Sequence, residues 1–232
     1  MAKAAKSAAG ITSLHYRLSG TVPAKGRLTA DASMTAQPPA MSMDLNTATQ
    51  GGGGQLRIRF TNKTMYVGGS AIHSEKLKGK HWLSAAPAVW GQGAADNQSY
   101  RVLPSQLQAN PPSQSTLLTG SKDLRTVGTE TVDGVPTTHY KGTVNYDALS
   151  GERLDQFMQL EASDPLTMDL WIDGKNRPKQ YRLQGKPPTD PLPSGADAPL
   201  DLTVTFLDIN QPTTITAPAA DDTVPLTDNT QH

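Results

Sequence analysis

The residues that most often carry catalysis or bind metals are few in this chain and widely spaced. The five histidines stand at positions 15, 73, 81, 139 and 232, so none lies three or four residues from another. A zinc site of the His-Glu-x-x-His type needs that spacing, because residues one turn apart share a helix face. For His73 and Glu75, a loop pair, a surface role is favoured over metal binding. We therefore expect no metal site.

Motifs for nucleophilic or phosphate chemistry are also missing from the sequence. There is no Gly-x-Ser-x-Gly elbow, and the glycine run Gly51–Gly54 is followed by the alternating segment QLRIRF. A phosphate-binding loop instead requires a helix that opens with Lys and Ser or Thr, so the run predicts a loop between strands. Asp169 and Asp173 share a predicted strand, where hairpin and surface roles account for them. The sequence thus predicts a protein that is not an enzyme and uses no cofactor.

The composition excludes several classes of partner. Lys plus Arg and Asp plus Glu number 21 each, a balance that gives no support for nucleic-acid binding, which normally uses a basic face. The same balance argues against simple electrostatic docking to an anionic membrane. The chain has no cysteine, which excludes disulfides and thiolate metal sites. It also has no apolar run of the ~18 residues that a bilayer span requires.

Alternation of apolar and polar residues is the dominant pattern. It is clearest in Val127–Asn145, where two segments rich in Thr, Val and Tyr flank Asp133-Gly134, a strong hairpin signal. About ten strands are predicted, each with one apolar face, which is typical of an antiparallel sheet with one covered and one solvated face. The other strands are Ser13–Thr21, Lys25–Thr35, Ala40–Leu45, Gln55–Phe60, Thr64–Val67, His81–Leu83, Leu166–Asp173, Lys179–Gly185 and Leu200–Asn210.

Three segments predict helices. Ala2–Gly10 is rich in Ala and Lys and ends at glycine, and Pro111–Leu118 opens with proline, a common first helical residue. Tyr146–Ala162 places Phe157 and Met158 among apolar residues near the helical period. The apolar face of the sheet must be covered, and the two helices from the middle of the chain are the candidates. The expected fold is α+β, mainly β: a strongly curved antiparallel sheet with two or three helices on its concave side.

Several stretches resemble a family of lipoproteins. They are the hairpin VGTETVDGVPTTHYKGTVN, then MDLWIDGKNRPKQYRL from Met168 to Leu183, and VTFLDINQPTTITAP from Val204 to Pro218. The earlier segments TNKTMYVGG and KGKHWLS extend the likeness. Together they are similar to the actinobacterial LppX/LprG-type lipoproteins. The resemblance implies a half-barrel, shared with the LolA and LolB carriers, that holds lipid between sheet and helices. It also implies a secretory signal ending at a lipidated cysteine.

The resemblance leads to the first functional hypothesis, a carrier or chaperone that binds a lipid or glycolipid at the outer face of the cell membrane. The opening AKAAKSAAG is consistent with a targeting segment already removed, and a lipid anchor is expected upstream. Methionines on the apolar phases suit either a packed core or an adaptable wall for acyl chains, and the sequence leaves both open. The candidate lipid contacts are Met43, Ile58, Leu118, Phe157, Met158, Met168, Leu170 and Val204.

A second hypothesis belongs to a different class. The chain could instead be a regulatory lipoprotein with a packed interior, which restrains an envelope protein such as a stress sensor. The few aromatic residues and the irregular segments Ala85–Asn110 and Pro187–Pro199 motivate it, because loops often carry binding function. A third reading, an enzyme acting on envelope lipid or polysaccharide, lacks a recognisable nucleophile or acid–base pair.

The domain organisation follows from the same patterns. We expect one LolA/LppX-like domain over residues 1–232, with an N-terminal helix at 1–10, a folded core at 11–218 and a frayed acidic tail at 219–232.

Overall fold

The described part of the chain is built almost entirely from β-strands. The computed structural model describes residues 1–23, 26–48, 53–86, 111–145, 165–187 and 198–226. Clean alternation and β-branched residues favour strands in these segments. The strands are β1 Ser13–Val22, β2 Gly26–Ala36, β3 Pro39–Ala48, β4 Gly54–Thr61, β5 Thr64–Gly68, β6 Trp82–Ala85, β7 Arg125–Val132, β8 Val135–Val144, β9 Leu166–Asp173, β10 Pro178–Gly185, β11 Leu200–Ile209 and β12 Thr223–Pro225.

These twelve strands form one curved, open sheet. Their order is β12-β6-β5-β4-β3-β2-β1-β11-β10-β9-β8-β7. Every neighbouring pair is antiparallel except β12 with β6, which is parallel. The first and last parts of the chain meet where β1 lies beside β11. The prediction of a mainly β protein with one curved sheet is therefore confirmed.

Tight turns set the registers of the hairpins. Asp133 and Gly134 both have positive φ, at 52° and 77°, as the predicted two-residue turn requires. Asn62 and Lys63 likewise adopt φ of 51° and 60° between β4 and β5. In the turn after β9 the left-handed residue is Asn176, with φ 60°.

Helical structure is sparse in the described residues. Helix α1 covers Ala2–Ala9, as predicted, and buries Ala4 and Ala8. The helix predicted for Pro111–Leu118 is shorter than expected: α2 covers Pro111–Gln114, and a 3-10 turn follows at Leu117–Gly120. The helix predicted for Tyr146–Ala162 lies outside the described residues, so two or three helices on the concave side stay a prediction. No described helix is long and apolar enough to cross a membrane.

The tail is the main departure from the predicted order. Residues 219–226 were expected to fray, and that prediction is wrong. A 3-10 turn at Ala220–Asp222 leads into β12, and the Leu226 amide donates to the Ser84 carbonyl at 2.7 Å. Val224 and Leu226 pack on apolar residues of β4–β6, which explains why this acidic segment is ordered.

Candidate functional site

Apolar side chains form continuous rows across one face of the sheet. Ile58 of β4 lies opposite Met43 of β3, which lies opposite Ala32 of β2. The row continues through Tyr16 of β1 to Phe206 of β11. Directly opposed residues point to the same face with their Cβ atoms about 4.5–5.5 Å apart, so each row is a contact ladder. A second row contains Leu56, Leu45, Ala30, Leu18, Val204, Tyr181 and Leu170.

The rows divide into two buried clusters. One lies on β1–β3 and β8–β11 together with α1 and the turn at Leu117–Gly120, and the other lies on β4–β6 and includes Ile72. Met43, Leu45 and Phe60 pack against both clusters, yet each remains partly exposed. Leu18 and Met34, on the neighbouring strands, are also partly exposed. We call these five residues of β1–β4 the apolar seam, because three of them lie where the two clusters meet and Leu18 and Met34 lie on the strands next to them.

The structure separates the predicted lipid contacts into two groups. Met43 belongs to the seam. The others among the described residues are core residues with 1% or less of their surface exposed, namely Ile58, Leu118, Met168, Leu170 and Val204. Ile58 lies in the β4–β6 cluster, and the remaining four share the larger cluster. The predicted contacts Phe157 and Met158 lie outside the described residues.

Four seam residues were missed by the sequence reasoning. Leu18, Met34, Leu45 and Phe60 point to the same face of the sheet as Met43, as the alternation within each strand and the pairing between strands require. The face to which each side chain points was therefore predictable. The partial exposure of these residues was not predictable, because alternation distinguishes the two faces of a strand and carries no information on what covers the apolar face.

Two tyrosines place polar groups inside the apolar cluster. Tyr181 donates its hydroxyl hydrogen to Gln114 Oε1 of α2 and meets the Phe206 ring edge-on, with centroids 6.1 Å apart. Burial raises the pKa of Tyr181, and the neighbouring Tyr16 raises it further. Burial also raises the pKa of Tyr16. Both phenols therefore stay neutral, and the Tyr181 hydroxyl fixes α2 against the sheet.

The opposite face of the sheet is polar and carries charged networks. His139 contacts Glu130 Oε1 through Nδ1 at 2.8 Å and Asp169 Oδ1 through Nε2 at 2.7 Å. Its ring stacks on Trp171 at 4.3 Å, and Trp171 Nε1 donates to Glu130 Oε2 at 2.9 Å. Lys141 Nζ donates to the second Asp169 oxygen at 3.2 Å. These bonds tie β7, β8 and β9 together. The predicted surface role of Asp169 is wrong, because its exposed fraction is only 4%.

A second histidine repeats this arrangement on β1. His15 lies between Asp31 of β2, 2.9 Å from Nε2, and Asp208 of β11, 3.3 Å from Nδ1. Burial alone would lower the pKa of His15, but hydrogen bonds and attraction to the two aspartates outweigh burial and raise it. In both networks the carboxylates lie on opposite sides of an imidazole. Among the described residues, no group of three or more metal-ligating side chains could hold a metal ion.

Comparisons with known proteins agree with this fold. The model of the LppX_LprAFG lipoprotein family matches residues 104–215, just under half of the chain. The crystal structure of LprF from Mycobacterium bovis is similar over 94% of this chain and 95% of that chain, with a TM-score of 0.59 and 17% identity. Mycobacterium tuberculosis lipoprotein LppX gives a TM-score of 0.54 and 17% identity over 93% of this chain and 95% of that chain.

A curated relative comes from Streptomyces griseus. It is described as an uncharacterized 31.2 kDa protein in the rplA-rplJ intergenic region, and it is 29% identical over 188 residues. The alignment covers 75% of this chain and 57% of the relative, so the chain spans little more than half of that protein. The predicted resemblance to LppX/LprG-type lipoproteins is confirmed, and the chain has the fold of LprF and LppX.

Proposed function

We propose that this chain is the envelope-facing domain of a lipoprotein that binds a lipid or glycolipid by its acyl chains along the apolar seam. The observation that carries the proposal is the seam itself. Five large apolar side chains keep part of their surface exposed on the face of the sheet that otherwise holds the core. Large apolar residues in a finished core are normally covered, so a group of partly exposed apolar side chains on this face favours a ligand.

The chemistry of the seam suits acyl chains. Met34 and Met43 are unbranched and adaptable, which lets a wall accept chains that differ in length or branching. Each methylene transferred from water to such a wall contributes about 0.8 kcal/mol, so two chains can be held without a charged anchor. The buried residues Ile58, Met168, Leu170 and Val204 would then support the seam from the surrounding core. Contacts from Leu118, Phe157 and Met158 remain part of the proposal.

The lipoprotein character of the matched family supports the cellular location. A lipid anchor upstream of Met1 would hold the domain at the outer face of the cell membrane, next to the lipids it carries. Binding and release of a lipid break no covalent bond, so the proposed activity requires neither a catalytic residue nor a cofactor. The partners would be the lipid, the membrane and an envelope protein that delivers or receives the lipid.

Native mass spectrometry tests the proposal directly. The chain, produced in an actinobacterial host and kept in mild detergent, should carry co-purified lipid, and delipidated protein should take up a fluorescent diacyl phospholipid from vesicles. Met43→Trp should reduce that uptake several-fold, because the larger ring fills part of the seam. Ser42→Trp is the matched control: it adds the same ring to the neighbouring residue of β3, whose side chain points to the polar face.

Two results would count against the carrier. Protein that stays at its apo mass and takes up no fluorescent lipid would leave the seam as a core boundary and favour the regulatory lipoprotein with a packed interior. Equal uptake by the parent and both variants would show that lipid binds somewhere other than the seam.

A further inference from the structure

A groove of about 520 Å³ crosses the polar face of the sheet, opposite the apolar seam. It runs over β2, β1, β11 and β10, the strands at which the first and last parts of the chain meet. Gly20 helps to form its floor. This residue has φ +151°, and a Cβ there would approach the Asp201 carbonyl oxygen to 1.9 Å, so only glycine allows β1 and β11 to lie this close.

Hydroxyl groups line the middle of the groove. Ser19 lies opposite both Thr29 and Thr203. Thr21 is two residues further along β1 and points to the same face of the sheet. Opposed side chains of an antiparallel pair are about 4.5–5.5 Å apart, so the hydroxyls of Ser19, Thr29 and Thr203 form a close ladder, which Thr21 extends along β1. Each can donate and accept a hydrogen bond. None of the described residues that line this groove has an aliphatic side chain, so the groove is unsuited to binding acyl chains in the way proposed for the seam.

Charged groups make the groove cationic. Arg182 donates to Asp201 through Nε at 2.6 Å and through Nη2 to the second oxygen. Hydrogen bonds from Arg182 lower the pKa of Asp201 although burial opposes this, so the pair is fully ionised at neutral pH. Arg27 lines the same groove, is exposed, and forms no ion pair within the described part of the chain. Among the residues that line the groove, two guanidinium groups against one carboxylate leave one net positive charge.

Hydrogen-bond donors outnumber dedicated acceptors in the lining. Gln180 Oε1 accepts a hydrogen bond from Thr205 at 3.1 Å, so its amide nitrogen is the group left to donate. Trp171 of β9, held by its bond to Glu130 and its stack on His139, also lines the groove. A ligand that matches this surface offers several hydroxyls to the ladder and an anionic group to Arg27. The volume is within the range of small-molecule sites, which is about 300–1,000 Å³.

We propose that this groove binds an acidic saccharide, meaning a sugar or polyol that carries a phosphate or carboxylate group. The hydroxyl ladder recognises the sugar, and Arg27 binds the anionic group. Such a ligand could be soluble or could be the headgroup of a membrane lipid presented to the polar face. Because the groove and the seam lie on opposite faces, this site is independent of the lipid site.

Isothermal titration calorimetry at low ionic strength tests the site. Glucose 6-phosphate should bind to the full chain, and glucose or inorganic phosphate alone should bind at least tenfold more weakly. Arg27→Gln should weaken glucose 6-phosphate binding roughly 10- to 100-fold, the loss expected for a charge-assisted hydrogen bond. Arg17→Gln is the matched control, because Arg17 is exposed on the same face but does not line the groove. Flotation with phosphatidylinositol vesicles, compared with pure phosphatidylcholine, shows whether a lipid headgroup is also bound.

The outcomes separate the proposal from its alternatives. A loss of binding in Arg27→Gln that is absent in Arg17→Gln supports the site. Whether that loss is seen with glucose 6-phosphate or with phosphatidylinositol vesicles identifies the source of the ligand. Equal affinity for inorganic phosphate and glucose 6-phosphate would show that the hydroxyl ladder contributes nothing. Equal losses in Arg17→Gln and Arg27→Gln would indicate general charge attraction. Either result, or no binding in both arms, overturns the proposal. Uptake of diacyl lipid should be unchanged in Arg27→Gln, so failure here leaves the lipid site untouched.

Discussion

Substitutions of the two opposed residues Met43 and Ile58 distinguish a packed core from an open seam. Both side chains point to the apolar face in the same row, but Ile58 is fully buried and Met43 is partly exposed. Ile58→Ala removes three carbons worth about 0.8 kcal/mol each and leaves a cavity, so the free energy of unfolding should fall by about 2–5 kcal/mol. Met43→Ala removes a side chain that already contacts solvent, and the loss should stay below about 2 kcal/mol.

Urea unfolding with and without bound lipid measures both effects. A lipid present at 100 times its Kd should stabilise the parent by about 2.7 kcal/mol. Ile58→Ala should keep most of that ligand-induced stabilisation, whereas Met43→Ala should lose a substantial part of it because the seam contact is gone. The reasoning is refuted if Met43→Ala destabilises the apo protein as much as Ile58→Ala and lipid stabilises neither the parent nor the variants.

Three further predictions concern residues outside the seam. Gly142→Ala should destabilise the protein by about 1–3 kcal/mol in thermal melts, because the new Cβ would meet Leu118 Cδ2 at 3.1 Å and the Ser121 hydroxyl at 2.5 Å. Asp173 is mostly buried, which alone would raise its pKa, but hydrogen bonds from Arg177 and the Lys175 amide lower the pKa overall. Stability from Asp173 is therefore present above about pH 4 and lost on acidification, and Asp173→Asn should flatten the acid limb of a stability–pH curve. The raised pKa of His15 gives the opposite pH dependence. The stability that His15 contributes is fully present below about pH 6.5 and is lost as the pH rises through the folded-state pKa, so His15→Gln should destabilise the protein more at pH 5.5 than at pH 8.

Each of these predictions has a matched control. Gly128→Ala on β7 adds the same methyl group where nothing lies within 4 Å, so it should be nearly neutral. Asp133→Asn changes a hairpin carboxylate that has no hydrogen-bond partner within the described residues, and it should leave the acid limb unchanged. His73→Gln changes an exposed loop histidine. If the two histidine variants show the same pH dependence, the flanking aspartates are not the cause of the shift.

Local chemistry in the sequence determined the strands and their turns. The Asp133-Gly134 turn is present with both residues at positive φ, because that conformation is a property of the dipeptide and its two strands. Alternation correctly assigned residues such as Ile58 and Val204 to the apolar face, because the side-chain period of a strand is two wherever the strand lies in the sheet. The resemblance to LppX/LprG-type lipoproteins rests on these same turns and strands.

The tertiary structure alone decided how each apolar residue is covered and which distant segments meet. Met43 and Ile58 have the same phase in their strands, and only the meeting of two clusters makes one a seam residue and the other a core residue. The pairing of β12 with β6 and the groove between Arg27 and Arg182 both join segments far apart in the chain. Such contacts depend on the order of strands in the sheet, and a pattern of period two contains no information about that order.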